Sequence, residues 1–181
     1  MKFTANESSK IKIHDYKSMN ERDRADAYAY MLLAEYELFK MHSANGVTEE
    51  EYGVHPRNLG RFLSDIKGYY ESKHIFATIS EESGYYTGMV VTRKDSDKGL
   101  YIVSLYVDED FRKNGTASAL LKHVINNTKE NKVTALIGTF NKASLGLFTK
   151  LGFKELGDTN IKSMKEYQLV LGGKEWNLLT V

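Results

Sequence analysis

Apolar positions in the first hundred residues change spacing from strand to helix and back to strand. Residues 10–14 alternate in character and predict a short opening strand. Asn20 suits a helix N-cap, with Asp23 placed in the first turn near the positive end of the dipole. Ala25, Tyr28, Ala29, Leu32, Tyr36 and Phe39 then recur at helical spacing, and Gly46 follows the predicted end. Thr48, Glu49, Glu50 and Glu51 have the spacing of a capping box. Pro56 suits the first turn of a second helix, which sets Leu59, Phe62, Leu63, Ile66 and Tyr70 on one face. Residues 74–80 and 85–93 read as a hairpin around Glu81, Glu82, Ser83 and Gly84. A turn at 95–99 leads to residues 100–107 (LYIVSLYV), apolar almost throughout, as expected of a strand covered on both faces.

Beyond residue 107 the order becomes helix, strand, helix, strand. A helix over 116–128 turns Ala117, Leu120, Leu121 and Val124 inward, a strand spans 133–140, and a short helix spans 143–151. Gly152 and Phe153 open another extended segment, and 167–171 reads as the last strand. A strand-rich stretch followed by alternation predicts an α/β fold: a twisted mixed sheet of about six to seven strands with helices on both faces.

Composition narrows the function classes. With 181 residues, one domain over 1–181 is expected. The absence of cysteine excludes disulfide frameworks, zinc ribbons and cysteine nucleophiles. Lys plus Arg is 25 against 24 for Asp plus Glu, which argues against nucleic acid as the main partner. No apolar run approaches the roughly 18–20 residues that span a bilayer, and residues 1–10 lack the apolar segment of a secretory signal. A cytoplasmic protein with no membrane partner is expected. The five histidines show no metal-ligand spacing, so no metal is expected, and G-x-S-x-G and GxxxxGK[ST] are absent.

The candidate chemistry lies where the apolar strand ends. Asp108 to Phe111 is followed by Arg112, Lys113, Asn114, Gly115, Thr116, Ala117 and Ser118, so a strand, a tight glycine-containing turn and a helix start follow directly. Helix N-termini present unpaired N–H groups and partial positive charge, an anion site in waiting. Gly115 and Ala117 leave the approach open, while Arg112 and Lys113 add two cations. Taken alone, the segment also reads as an ordinary strand-to-helix turn with exposed basic residues.

Residues 112–117 resemble the R/Q-x-x-G-x-G/A motif of the GNAT superfamily of acyl-CoA-dependent N-acyltransferases, with Leu105, Tyr106 and Val107 in the strand before it. Asn141, Lys142, Ala143 and Ser144, then Phe148 to Phe153, resemble the family's second signature, N-x-x-A/S followed by Y-x-K-x-G-F. The resemblance is clear over 100–155. It implies an acyl-CoA core there and an acceptor side over 1–99. It implies N-acetyl transfer from acetyl-CoA directly to an amine, a small molecule or a protein N-terminus or lysine, in a fold that is commonly a homodimer. By the same resemblance, backbone N–H groups of 113–118 hold the coenzyme A diphosphate. The pantetheine arm pairs with the main chain of Leu105 and Val107, and the Val107 N–H polarises the thioester carbonyl. Asn141 and Ser144 lie near that arm, although Asn141 is also a natural helix N-cap.

One residue departs from the pattern. The family commonly has tyrosine at the position of Phe148, where its hydroxyl protonates the departing thiolate. Phenylalanine cannot do so, and a positioned acid is worth about 10²–10⁴ in rate. Tyr101, on the motif strand, is a candidate relay, with packing as the other reading; Ser144 acting through water is another. A non-catalytic acyl-CoA sensor on the same fold is the alternative function. An amine with pKa near 10.4 must lose a proton before attack, yet the motif strand carries no carboxylate to take it. On the acceptor side, nine of the twelve tyrosines precede residue 100, and Glu49 to Glu51 form an acidic run. Both suit a cationic amine and both equally suit packing and capping.

Overall fold

The computed structural model describes residues 11–48, 51, 59–72, 75–161 and 163–171, with the side chains of 59 and 61–63 excepted. Its elements, in order, are β1 (Lys12–Asp15), a 3-10 turn (Tyr16–Ser18), α1 (Glu21–Ala44), α2 (Leu59–Glu71), β2 (Ile75–Glu82), β3 (Tyr85–Asp95) and β4 (Gly99–Val107). A second 3-10 turn (Glu109–Phe111), α3 (Thr116–Asn127), β5 (Lys132–Gly138), α4 (Lys142–Lys150), β6 (Lys154–Asp158) and β7 (Met164–Val170) complete it. One seven-stranded sheet runs β1-β2-β3-β4-β5-β7-β6, and every neighbouring pair is antiparallel except β4 with β5. This is the mixed sheet that the alternating half of the sequence predicts. Pro56, His55, His74, Glu49 and Glu50 lie outside the described residues, as do the side chains of Leu59, Phe62 and Leu63.

Helices cover both faces. On one, Leu120, Leu121 and Val124 of α3, Phe148 of α4 and Leu151 at its C-cap pack with Val90, Ile102, Val133 and Leu169. On the other, Ala27, Met31, Ala34 and Phe39 of α1 and Ile66 and Tyr70 of α2 pack with Ile79, Met89 and Val91. Loss of one such side chain to alanine costs about 2–5 kcal/mol.

Local signals place most boundaries. The Asn20 carboxamide accepts from the Asp23 N–H at 2.9 Å and starts α1. Thr48 and Glu51 exchange capping-box bonds, the Glu51 carboxylate accepting from the Thr48 N–H at 2.8 Å and the Glu51 N–H donating to the Thr48 hydroxyl at 3.2 Å. The hairpin is tighter than its sequence suggests. β2 runs on to Glu82, and only Ser83 and Gly84, both at positive φ (54° and 85°), form the turn, because such two-residue turns match the twist of the flanking strands.

Two expectations are corrected. The buried line on α1 is Ala27, Met31, Ala34, Glu35 and Phe39, whereas Ala25, Ala29 and Tyr36 face solvent. Alanines and tyrosines occur all round this helix, and the true inward line contains a carboxylate. At the start of α3 it is Thr116 that is buried, and Ala117 is only half-buried.

Candidate functional site

Strand β4 keeps its partner on one side and loses it on the other. Its ladder with β3 runs from Asp95↔Gly99 to Gly88↔Val107. Its ladder with β5 has three pairs, Leu100↔Val133, Tyr101↔Thr134 and Ile102↔Ala135, and stops. β5 continues along β7 to Gly138↔Met164, so the sheet splits between β4 and β5. Where the split begins, β4 bulges: Val91 pairs with Ser104 but Thr92 with Ile102, leaving Val103 as the extra residue. Sheet bulges re-aim the strand that follows them, here the stretch bordering the gap.

The main chain past the bulge has a definite orientation. The Asp108 N–H donates to the Thr87 carbonyl at 2.9 Å. Alternation in an antiparallel ladder then directs the main-chain groups of Tyr106 and Ser104 toward β3, and those of Leu105 and Val107 into the gap that β5 has vacated. Consistent with this, the Arg112 Nε donates to the Val107 carbonyl at 3.0 Å. That leaves the N–H of Val107 and both main-chain groups of Leu105 along the gap.

The loop after β4 is open. Lys113 (φ 66°) and Gly115 (φ 89°) both have positive φ, and such turns gather successive N–H groups into a concavity suited to an anion. Gly115 is the N-cap of α3 and supplies no side-chain cap, so the first-turn N–H groups of Thr116, Ala117 and Ser118 have no partner within the helix. A Cβ built on Gly115 would meet nothing within 4 Å. Arg112, Lys113 and Asn114 are exposed, and the Thr116 hydroxyl turns inward toward the Phe111 carbonyl at 3.5 Å. Among the described residues, no side chain fills the space at Gly115.

A cavity of about 430 Å³ occupies the gap, walled by α1, α2, β4, β5 and α4. Tyr101, Leu105, Asn141, Ser144 and Phe148, all singled out from the sequence, line it. Asn141 caps α4, accepting from the Ser144 N–H at 3.1 Å. Phe148 is 2% exposed and stacks edge-on with Phe153 at 4.8 Å, so its position serves the core and offers no proton. Tyr101 has the Arg93 guanidinium 4.9 Å from its ring, and burial pushes its phenol up to about 12; it holds its proton at neutral pH. His42, on α1, is pushed down by burial and is neutral there, its ring edge-on to Phe140 at 5.5 Å.

Sequence reasoning missed Glu35. It is 4% exposed, lines the cavity, and accepts from the Tyr70 hydroxyl at 2.9 Å and from Ser104, the residue next to the bulge. Burial raises its pKa, and the bonds from Ser104 and Tyr70 pull it back. The available signal was positional: Glu35 stands four residues after Met31 and four before Phe39, a charge in register with an inward apolar line. Asp65 and Glu51 also line the cavity, and among the described residues no lysine or arginine does. Among the described residues no group of three or more His, Cys, Asp or Glu is placed to hold a metal ion, and no helix is long and apolar enough to cross a membrane.

Comparison with known proteins gives a consistent picture. Residues 29–153 match the model of the acetyltransferase (GNAT) family. Among solved structures, an N-acetyltransferase from Staphylococcus aureus Mu50 is 22% identical, with 90% of this chain and 99% of that chain covered, at a TM-score of 0.64. A PaiA N-acetyltransferase from Thermoplasma acidophilum in complex with coenzyme A is 14% identical over 89% of this chain and 99% of that chain, also at 0.64. A spermidine/spermine N-acetyltransferase, SpeG, from Vibrio cholerae is 10% identical over 91% and 94%, at 0.60. At these identities the likeness is one of fold. No curated protein sequence matches the chain.

Proposed function

The chain belongs to the acetyltransferase (GNAT) family, and on that premise we propose that it moves the acetyl group of acetyl-CoA directly onto a primary amine bound in the cavity between α1, α2 and β4. The observation that carries this reading is the split sheet. An unpaired strand edge with N–H and C=O groups facing a gap can receive an extended amide-containing arm as though it were another strand. The open edge of β4 runs from the cavity-lining Leu105 to Val107, just before the turn at 113–118. Residues 100–155 then bind the acyl donor, and the first ninety-nine residues build most of the acceptor side.

In this reading the diphosphate of acetyl-CoA rests on the N–H groups of Lys113 to Ser118, with Lys113 and Arg112 supplying positive charge. Arg112 also ties the turn to β4 through the Val107 carbonyl. The arm runs back along β4, bonded by Val107 and Leu105 and flanked by Asn141 and Ser144. Because the diphosphate sits beyond Val107, the thioester at the far end of the arm lies deeper. The Leu105 N–H, two residues or roughly 7 Å farther in, is the better placed donor for its carbonyl, and it stabilises the oxyanion formed on attack. Collapse releases the CoA thiolate, whose thiol has an ordinary pKa near 8.5 and leaves without a strong acid. Phe148 supplies no proton, so the proton comes from water. Tyr101 is roughly 13 Å back along the strand from Leu105, and a relay from it requires an intervening water.

A second reading, an acyl-CoA sensor without turnover, is favoured by Phe148 alone. Release of free thiol from acetyl-CoA against a panel of amines decides between the two. Turnover with any amine is expected; tight coenzyme A binding with no thiol release from any of them would establish the sensor.

A further inference from the structure

Amine acetylation needs a group to take the ammonium proton, and none of the motif residues supplies one. We infer that Glu35 is the catalytic proton acceptor for the incoming amine, held for that role at the β4 bulge by hydrogen bonds from Ser104 and Tyr70. This rests on the acetyl-transfer reading above. The site joins three observations. Glu35 is a carboxylate almost wholly removed from solvent that nonetheless lines the cavity. Its partner Ser104 immediately precedes Leu105, the strand residue whose N–H faces the gap. Both its partners among the described residues are neutral hydroxyl donors, and no described cation neutralises it in advance of the substrate.

The surrounding groups are consistent with that role. From α2 come Tyr69, Tyr70 and, at the cavity rim, Asp65; from β4, Tyr101 and Ser104. Arg93 of β3 is engaged with the Tyr101 ring and with Asp95. On α1 itself His42 is two helical turns farther on, Glu51 reaches the wall from beyond α1, and residues 135–138 of β5 carry no charge. Burial raises the Glu35 carboxyl above the ordinary carboxylate range, which makes the ionised form a stronger proton acceptor than an exposed carboxylate.

The proton balance is complete. The ammonium of the acceptor gives one proton to the Glu35 carboxylate and becomes an amine. The amine nitrogen forms the bond to the thioester carbon, the carbon–sulfur bond breaks, and the thiolate departs. The second nitrogen proton reaches the sulfur through water, and Glu35 returns its proton to solvent. The products are the N-acetylated acceptor, CoA thiol and one proton.

The test is kcat/KM against pH for wild type, Glu35→Gln, Ser104→Ala and His42→Asn. Acetyl-CoA is the donor, and propylamine, 1,4-diaminobutane, spermidine and alanyl-alanine amide are the acceptors. Coenzyme A affinity and the thermal shift caused by each amine in the presence of coenzyme A are measured alongside. Wild type is expected to lose activity at acid pH as Glu35 takes up a proton. Glu35→Gln should lower kcat/KM by about 10²–10³ and abolish that acid limb, with coenzyme A affinity unchanged. Ser104→Ala removes a bond that favours the charged carboxylate, so its limb moves to higher pH, and His42→Asn keeps its limb. An acid limb that survives in Glu35→Gln, or stays in place in Ser104→Ala, overturns the assignment. So does a Glu35→Gln loss that appears wholly as weaker coenzyme A binding, which would make Glu35 a prop for β4. Wild type that turns over while Glu35→Gln matches it refutes Glu35 alone. Wild type that neither turns over nor is stabilised by any of the four amines refutes the acetyl-transfer reading together with it.

Discussion

The two stretches of β4 make an informative pair. Over Leu100 to Ile102 the strand has partners on both sides, and Leu100 and Ile102 sit in the α3–α4 core. Past the Val103 bulge it keeps β3 and loses β5, and its side chains are mostly half-buried. The residue types differ little, since each stretch has two aliphatic residues and one tyrosine, and the second adds only Ser104. Hydrophobicity therefore does not separate a doubly paired strand from an open edge; the presence or absence of a neighbour does. A strand edge with unpaired main chain is ordinarily a hazard for association. Here the cavity walls of α1, α2 and α4 surround it and restrict what can reach it.

Substitutions in the two stretches should separate stability from binding. Ile102→Ala, in the sealed stretch, should cost about 2–5 kcal/mol in denaturant unfolding while the folded protein binds coenzyme A normally. In the turn beyond the open stretch, Ala117→Glu sets a carboxylate against the diphosphate. A like-charge clash of about 3 kcal/mol weakens coenzyme A roughly a hundredfold by calorimetry; unchanged affinity would mean that the anion binds elsewhere. Leu105→Pro removes one N–H that points into the gap and none that bonds β3. It should weaken coenzyme A about tenfold, the worth of one hydrogen bond, with the unfolding midpoint nearly constant. A collapse in stability would show that Leu105 faces β3 after all. The smallest effect is expected at Phe148, a core position. Phe148→Tyr should change turnover by less than threefold, and a gain of tenfold or more would reveal a missing acid.

The half proposed to bind the acyl donor was legible as structure because its turn and caps are main-chain features set by local sequence. Gly115 marks a positive-φ turn, Thr116 to Val124 has helical spacing, and Asn141 announces its own cap. The half proposed to hold the acceptor was not. Its apparent periodicity runs along Ala25, Ala29 and Tyr36, residues that α1 turns to solvent. Glu35 hides in the sequence because a charge lowers the apolar count of the very line to which it belongs. Its two partners, Tyr70 and Ser104, are 35 and 69 positions away, beyond the reach of any local pattern.

By itself the sequence determined the order of strands and helices, the hairpin, the caps and the open glycine turn, since each depends on φ/ψ preferences and hydrogen bonds among residues a few positions apart. Tertiary structure alone decided that β5 leaves β4 after Ile102, that Leu105 and Val107 point into the opening, and that a glutamate from α1 closes on the bulge. Those outcomes depend on which distant surfaces pack together, and burial of apolar area is non-directional along the chain. It fixes the neighbours of a residue only once the whole sheet and its helices are in place.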